Sequence, residues 1–294
     1  MNYRRFKERA IALYFAGNGV AVIIFLLAIL ALLWQNSWPF FKEVGPLKLL
    51  TDHQWNPTSY FGPIFGIRPM LVSTLMVTGG ALALAFPLGV ACAAYLGKMA
   101  FSWEREILKP IVEILAGIPS VVIGFFGLVV LNPIIARVFN LSNGLNILNG
   151  SILLAIMALP TIISLTEDAI TAIPRSFEDA SLALGATSWQ TLWRVILPAA
   201  KSGIAAAFML GMGRAIGETM TVLMVMGNVL SLPSSFLDPG MTMTAVIAIE
   251  LGEVPFNTTH YYALFAVGLV LFIMTFLVNL TSDIILNRFQ GVEK

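Results

Sequence analysis

An arginine and a glutamate stand inside one of the most apolar stretches of the chain, in Gly211-Met212-Gly213-Arg214-Ala215-Ile216-Gly217-Glu218-Thr219-Met220. On a continuous helix Arg214 and Glu218, four residues apart, share a face and lie within ion-pair reach. Placing either charge in hydrocarbon costs at least ~2.5–3.5 kcal/mol on insertion scales, so both are expected to face protein or a wet cavity and to turn toward each other. Gly211, Gly213 and Gly217 would let a neighbouring helix come close on much the same face. Two readings stay open. In one the pair is structural and locks helices together. In the other Arg214 offers a fixed charge and forked donors to an oxyanion on a transport pathway, while Glu218 holds it in place or competes with the ligand.

Other chemistry is thin. No Ser-His-Asp set or carboxylate pair suggests catalysis, and Glu167-Asp168 reads as a cap at the inner end of an apolar span. His53 and His260 lack the spacing of metal ligands, so no metal site is expected. The chain has no GxxxxGK[ST] loop to cradle nucleotide phosphates, no dinucleotide-binding glycines and no exposed basic helix for nucleic acid. We therefore expect no enzyme and no cofactor in this chain; any ATP that drives it must bind another polypeptide.

The elements that carry these residues are those of a membrane protein. Apolar residues make up 58% of the 294 residues and charged residues only 11%, against about 25% charge in a soluble domain; mean hydropathy is +0.86. Apolar runs place six helical spans near 11–33, 69–96, 110–139, 151–170, 203–230 and 260–286, in a single all-α transmembrane domain over 1–294. The first run is too long for a signal-peptide core and is read as a retained span. Arg4, Arg5, Lys7, Arg9, Lys98, Arg105, Lys109, Arg175, Arg194, Lys201, Arg288 and Lys294 fall on one side, and only Lys42, Lys48, Arg68 and Arg137 on the other. That asymmetry puts both termini, and a loop over 171–201, in the cytoplasm, with a loop over 36–68 outside. Trp34, Trp38 and Trp103 suit interfacial belts. Cys92, the only cysteine, is expected to be an inert, packed thiol. Pro87, Pro119 and Pro160 should bend their spans, and 241–251 is too short to cross, so it should be a re-entrant or interfacial helix.

The loop over 171–201 has its own pattern. Ser176 and Asp179 form a capping box that should start a short helix, Gly185 supplies the left-handed residue that ends one, and Thr187 with Gln190 makes a second capping box at once. The result is a helical knuckle, apolar at Leu182, Leu184, Trp189 and Trp193 and interrupted by Pro198. Such a knuckle either lies on the bilayer or is gripped by a partner.

Asp179-Ala180-Ser181, three residues, Gly185, nine residues, Val195, one residue and Leu197-Pro198 resemble the EAA motif of ABC importer permeases, with Asp179, Ser181 and Val195 departing conservatively. The resemblance implies that Asp179, Ala180, Leu182, Leu184 and Gly185 belong to a coupling helix docking into a separate ATPase. Gly213 to Met220 closely resembles the signature of the phosphate-importer (Pst) permeases. Gly117 to Leu128 agrees, as do Ile247 to Gly252 with Glu253, and Trp55-Asn56-Pro57 with Phe61-Gly62 and Ser73-Thr74-Leu75 points to the PstC branch. The similarity runs from about Trp55 to Phe289. It implies a type I ABC importer permease fold in the inner membrane, and a phosphate pathway touched by Arg214, Glu218, Thr219 and Ser120. It also implies a PstA-like sister permease, a PstB-like ATPase dimer carrying ATP and Mg, and a PstS-like extracytoplasmic phosphate-binding protein. A permease for molybdate, tungstate or sulfate, a self-sufficient ion-coupled carrier and a non-transporting scaffold remain alternatives.

Overall fold

In hydrocarbon each backbone N–H and C=O must be satisfied within its own segment, which leaves the helix as the natural form for these apolar runs. The computed structural model describes residues 2–59 and 62–290. Phe61 and Lys294, and the side chains of Arg4, Arg5, Arg9 and Arg288, lie outside the described part. Within it, five helices are long and apolar enough to cross a membrane, and Ser188–Ala199 with Lys201–Ile216, bent by 70° at their junction, make a sixth crossing when counted as one broken span.

The first helix, α1 (Asn2–Glu43), runs ten residues beyond its expected end at Leu33. Its outer end is anchored: Phe40 is fully buried, edge-on to Phe65 at 5.3 Å. After α2 (Pro46–Thr51), a pair of two-residue strands, β1 (Trp55–Asn56) and β2 (Ile64–Phe65), pairs antiparallel with Trp55 opposite Phe65. This hairpin was not expected. It forms because Trp55 and Phe65 are both buried, at a ring separation of 5.8 Å.

Span two is α3 (Arg68–Ala94), closed by a π-helical turn, Tyr95–Met99. Span three differs from the continuous helix expected over 110–139. It begins as α4 (Ser102–Gly117), breaks at Ile118-Pro119 in extended conformation, and resumes as α5 (Ser120–Phe126), a π-helical turn Gly127–Leu131 and α6 (Asn132–Val138). Pro119 causes the break, because its ring disfavours helical geometry in the residue before it and it brings no N–H of its own.

Span four, α7 (Ile147–Thr171), is the most buried of these helices. Leu153, Leu154 and Ile162 pack with Val77, Ala81 and Ala85 of α3 to form the centre of the core. The cytoplasmic knuckle follows as α8 (Arg175–Ala183) and α9 (Ser188–Thr191), then a π-helical turn and α10 (Leu197–Ala199). Span five, expected as one helix over 203–230, is α11 (Lys201–Ile216), an irregular Gly217–Thr219 and the short α12 (Met220–Val225). The short helix anticipated over 241–251 is α13 (Met243–Glu250), and α14 (Thr259–Gln290) is the last span. Cys92 is exposed on the outside of the subunit rather than packed.

Side-chain pairs sort the loops onto two ends. At one end Trp55 Nε1 donates to both oxygens of Glu250, His260 Nε2 lies 2.7 Å from Glu250 Oε2, and Thr259 donates to Glu43. At the other, Lys98 pairs with Glu178, and Arg105 and Lys109 pair with Glu167. The loops after spans one and five thus share one end and those after spans two and four the other, as six alternating crossings require.

Candidate functional site

The breaks in spans three and five lie at one depth. Gly203 of α11 sits against Ala169 of α7, and Gly211 sits against Ile162. α11 therefore runs antiparallel to α7, and its end at Ile216 falls near Met157, in the middle third of α7. α4 also runs antiparallel to α7, with Arg105 and Lys109 at Glu167, so its break at Ile118-Pro119 reaches the same level. Thr221 joins the two breaks: its Oγ1 donates to the carbonyl of Ser120 at 3.1 Å and lies 3.2 Å from Met157 Sδ. The helices after the two breaks cross closely at Gly124, where an added Cβ would lie 3.2 Å from Thr221 Cα.

Arg214 and Glu218 do not form the pair expected of a continuous helix. The helix stops at Ile216, so Glu218 no longer follows Arg214 around one face. Glu218 Oε1 instead accepts from the Thr221 backbone N–H at 3.2 Å, capping α12, and its carbonyl accepts from Thr244 Oγ1 of α13 at 2.9 Å. Thr74 of α3 in turn accepts from the Met243 N–H at 3.1 Å, which fixes α13 against span two. Arg214 is exposed on the subunit and makes no hydrogen bond or ion pair with the described residues. Ser120 and Thr219 are half-buried, each beside one of the breaks. The structure thus gathers Ser120, Glu218 and Thr219 around two mid-depth interruptions and leaves Arg214 one turn away on the inner side, its charge unmatched.

The knuckle takes the expected shape with a different start. The Ser176–Asp179 capping box is absent: Pro174 is the N-cap, without a side-chain cap bond, and Ser176 already lies inside α8. Proline's fixed φ and missing N–H suit that boundary, so the helix gains two residues. Its end conforms. Gly185 has φ +85°, its N–H donates to Leu182 O at 2.9 Å, and the Ala186 N–H donates to Ser181 O at 3.2 Å, the paired bonds of a Schellman motif. The second capping box forms, with Gln190 N–H to Thr187 Oγ1 at 3.2 Å and Thr187 N–H to Gln190 Oε1 at 2.9 Å. Ser181 and Thr191, both buried, share a hydroxyl hydrogen bond of 2.9 Å that folds α8 onto α9. Asp179, Ala180, Leu182, Leu184 and Gly185 are left exposed, Leu184 by 89%.

Glu167 is more than the cap expected of it. It is 1% exposed and receives Arg105 Nη2 at 2.5 Å and Lys109 Nζ at 3.2 Å. Arg105 and Lys109, spaced four apart just before an apolar span, were the available signal for such a partner. Among the described residues no group of three or more His, Cys, Asp or Glu is placed to hold a metal ion.

Residues 85–291 match the family described as binding-protein-dependent transport system inner membrane component. A probable ABC transporter permease protein, YqgH, of Bacillus subtilis is 42% identical over 80% of this chain and 75% of its own length. The phosphate transport system permease protein PstC of Mesorhizobium japonicum is 34% identical over 92% of this chain and 88% of its own. A crystal structure of a bacterial ABC transporter involved in import of the acidic polysaccharide alginate has a chain that superposes with a TM-score of 0.65 at 18% identity. The match covers 97% of this chain and 99% of that one.

Proposed function

The chain belongs to the binding-protein-dependent transport system inner membrane components and is a permease subunit of an ABC importer, not an enzyme, and we propose that its cargo is inorganic phosphate. Relatives named as phosphate permeases align over nine-tenths of the chain. The observation that carries the reading is Arg214: an exposed guanidinium with no ion pair among the described residues, at the inner edge of two mid-depth helix breaks. At that depth an arginine must face a water-filled path or a partner subunit, and broken backbone is tolerated only where protein or a wet cavity receives it. A phosphate passing there would find a planar fork of charged donors, the geometry that suits an oxyanion.

Family membership implies an ATPase and a binding protein as partners. In our reading these are a PstB-like ATPase dimer that carries the nucleotide and Mg, a PstS-like phosphate-binding protein on the outer side, and a PstA-like sister permease that completes the pathway. The exposed Asp179, Ala180, Leu182, Leu184 and Gly185 form the face that docks on the ATPase. Both termini lie in the cytoplasm, following the Lys and Arg asymmetry.

The test is uptake by vesicles carrying this permease with its sister, ATPase and binding protein. Labelled phosphate should enter only with ATP, and excess molybdate, tungstate or sulfate should not compete. Uptake of phosphate by the isolated chain without an ATPase, or competition by another oxyanion at equal concentration, overturns the proposal.

A further inference from the structure

Beside its exposed docking residues, α8 has two side chains that meet the rest of the subunit. Glu178 and Ser181, three apart, turn inward, Ser181 onto Thr191 and Glu178 onto Lys98. Lys98 Nζ lies 2.7 Å from Glu178 Oε2, and the lysine side chain is only 16% exposed against 35% for the glutamate. Lys98 sits in the π-helical turn Tyr95–Met99 that ends span two, where Gly97 packs against Ile170 of α7. The same turn holds the start of span three: Tyr95 Oη donates to Glu104 Oε2 at 2.8 Å, and that oxygen also accepts from the Phe101 N–H at 3.0 Å. α4 runs from there to the break beside Ser120. A continuous set of contacts therefore leads from the knuckle through Lys98 and Tyr95 to α4 and the mid-membrane break.

We propose that Lys98 is a positioning residue for transport, which hands movement of the coupling helix to spans two and three through its ion pair with Glu178. The knuckle does not need this pair for its own shape, which the Schellman turn, the Thr187–Gln190 box and the Ser181–Thr191 bond already fix. What the pair does is join two elements across a π-helical turn, a local widening of the helix often found at functional positions. The inference rests on the knuckle docking to an ATPase, as proposed above.

The experiment uses the assembled importer in liposomes, with Lys98→Gln, Glu178→Gln and the exchanged pair Lys98→Glu with Glu178→Lys. ATPase retention on the purified complex, basal hydrolysis, stimulation of hydrolysis by the phosphate-loaded binding protein and phosphate moved per ATP are read separately. Each single variant should keep the ATPase and basal hydrolysis while losing stimulation and transport per ATP by about tenfold, within the usual range of coupling between sites. The exchanged pair should recover both. Single variants with parental transport per ATP, a loss that tracks loss of the ATPase, or an exchanged pair no better than the singles would each overturn the role of Lys98. Failure of the unsubstituted importer to move phosphate strikes the choice of cargo instead. Stimulation by the binding protein loaded with whichever anion it takes then still tests Lys98.

Discussion

Thr221 Oγ1 donates to the backbone carbonyl of Ser120 at 3.1 Å, so the first turn after the break in span five is tied to the first residue after the break in span three. Two interruptions far apart in sequence become one mid-depth structure. Thr221→Val keeps the shape of the side chain and removes the donor in a buried setting, a loss of about 1–3 kcal/mol. The purified variant should melt at a lower temperature and import phosphate more slowly, and Thr221→Ser should restore both. Unchanged melting and uptake in Thr221→Val would show that the two breaks are held together by packing alone.

At Gly185 the backbone has φ +85° and an added side chain would meet open space, so conformation and not crowding sets the cost of substitution. A β-branched residue there costs on the order of 1–2 kcal/mol and would tilt the turn that aims Leu184 outward. Gly185→Val should insert in the membrane in normal amount, lose copurifying ATPase and lose ATP-dependent uptake. Asn, which tolerates the left-handed region, should be much milder. Full transport in Gly185→Val would count against docking through this knuckle.

Asp238 caps the outer turn that leads into α13. Its carboxylate accepts from the Ser234 hydroxyl at 2.8 Å and from the Ser234 and Ser235 N–H groups at 2.8 and 2.9 Å. The Ser234 hydroxyl first, and the two N–H groups after it, hold its pKa below the ordinary aspartate value. A lowered folded-state pKa gives stability that is complete above the unfolded pKa and lost as pH falls through the folded one. This turn also supplies the Asp238 and Phe236 carbonyls that accept from Ile147 and Leu148 at the start of α7. Exchange protection of those two amides should therefore persist down to about pH 4, where an ordinary aspartate is half protonated. Asp238→Asn should lower it wherever the carboxylate is ionised, as at pH 7, and protection that fades between pH 6 and 5 in the unsubstituted chain would contradict the lowered pKa.

How far the sequence told this story can be read from its punctuation. Apolar length located the spans, and the Gly185 turn and the Thr187–Gln190 box were legible because each rests on residues within five positions of one another. The start of α8 is ambiguous in the sequence, because Ser176 and Asp179 satisfy the capping pattern while Pro174, two residues earlier, fits the boundary equally well and sets it. The Arg214–Glu218 pair does not form for a deeper reason. Periodicity treats 203–230 as one helix, but Thr221 and Thr244 offer Glu218 partners that exist only once spans three and five and α13 have assembled. The sequence shows the charges but not which of them meet: Arg105 lies 62 residues from Glu167, and Trp55 lies 195 residues from Glu250.

Arg214 decides between the two readings of the charged pair, and the structure sharpens the test. If the two charges locked each other in the transporting state, removing one would strand the other at a cost of about 3–5 kcal/mol, and removing both would restore much of the loss. Glu218 is already committed to Thr221, so Glu218→Gln should loosen α12 and lower stability modestly while leaving measurable uptake. Arg214 has no partner to strand among the described residues. Arg214→Gln should therefore reach the membrane in normal amount and melt at the parental temperature, yet lose phosphate uptake at least tenfold, about 1.4 kcal/mol in the rate-limiting barrier. Arg214→Lys keeps the charge but not the planar fork and should fall between. The double variant Arg214→Gln with Glu218→Gln should stay inactive. Uptake normalised to inserted protein in the four variants settles the matter: recovery in the double variant would make Arg214 a helix lock and remove it from the phosphate path.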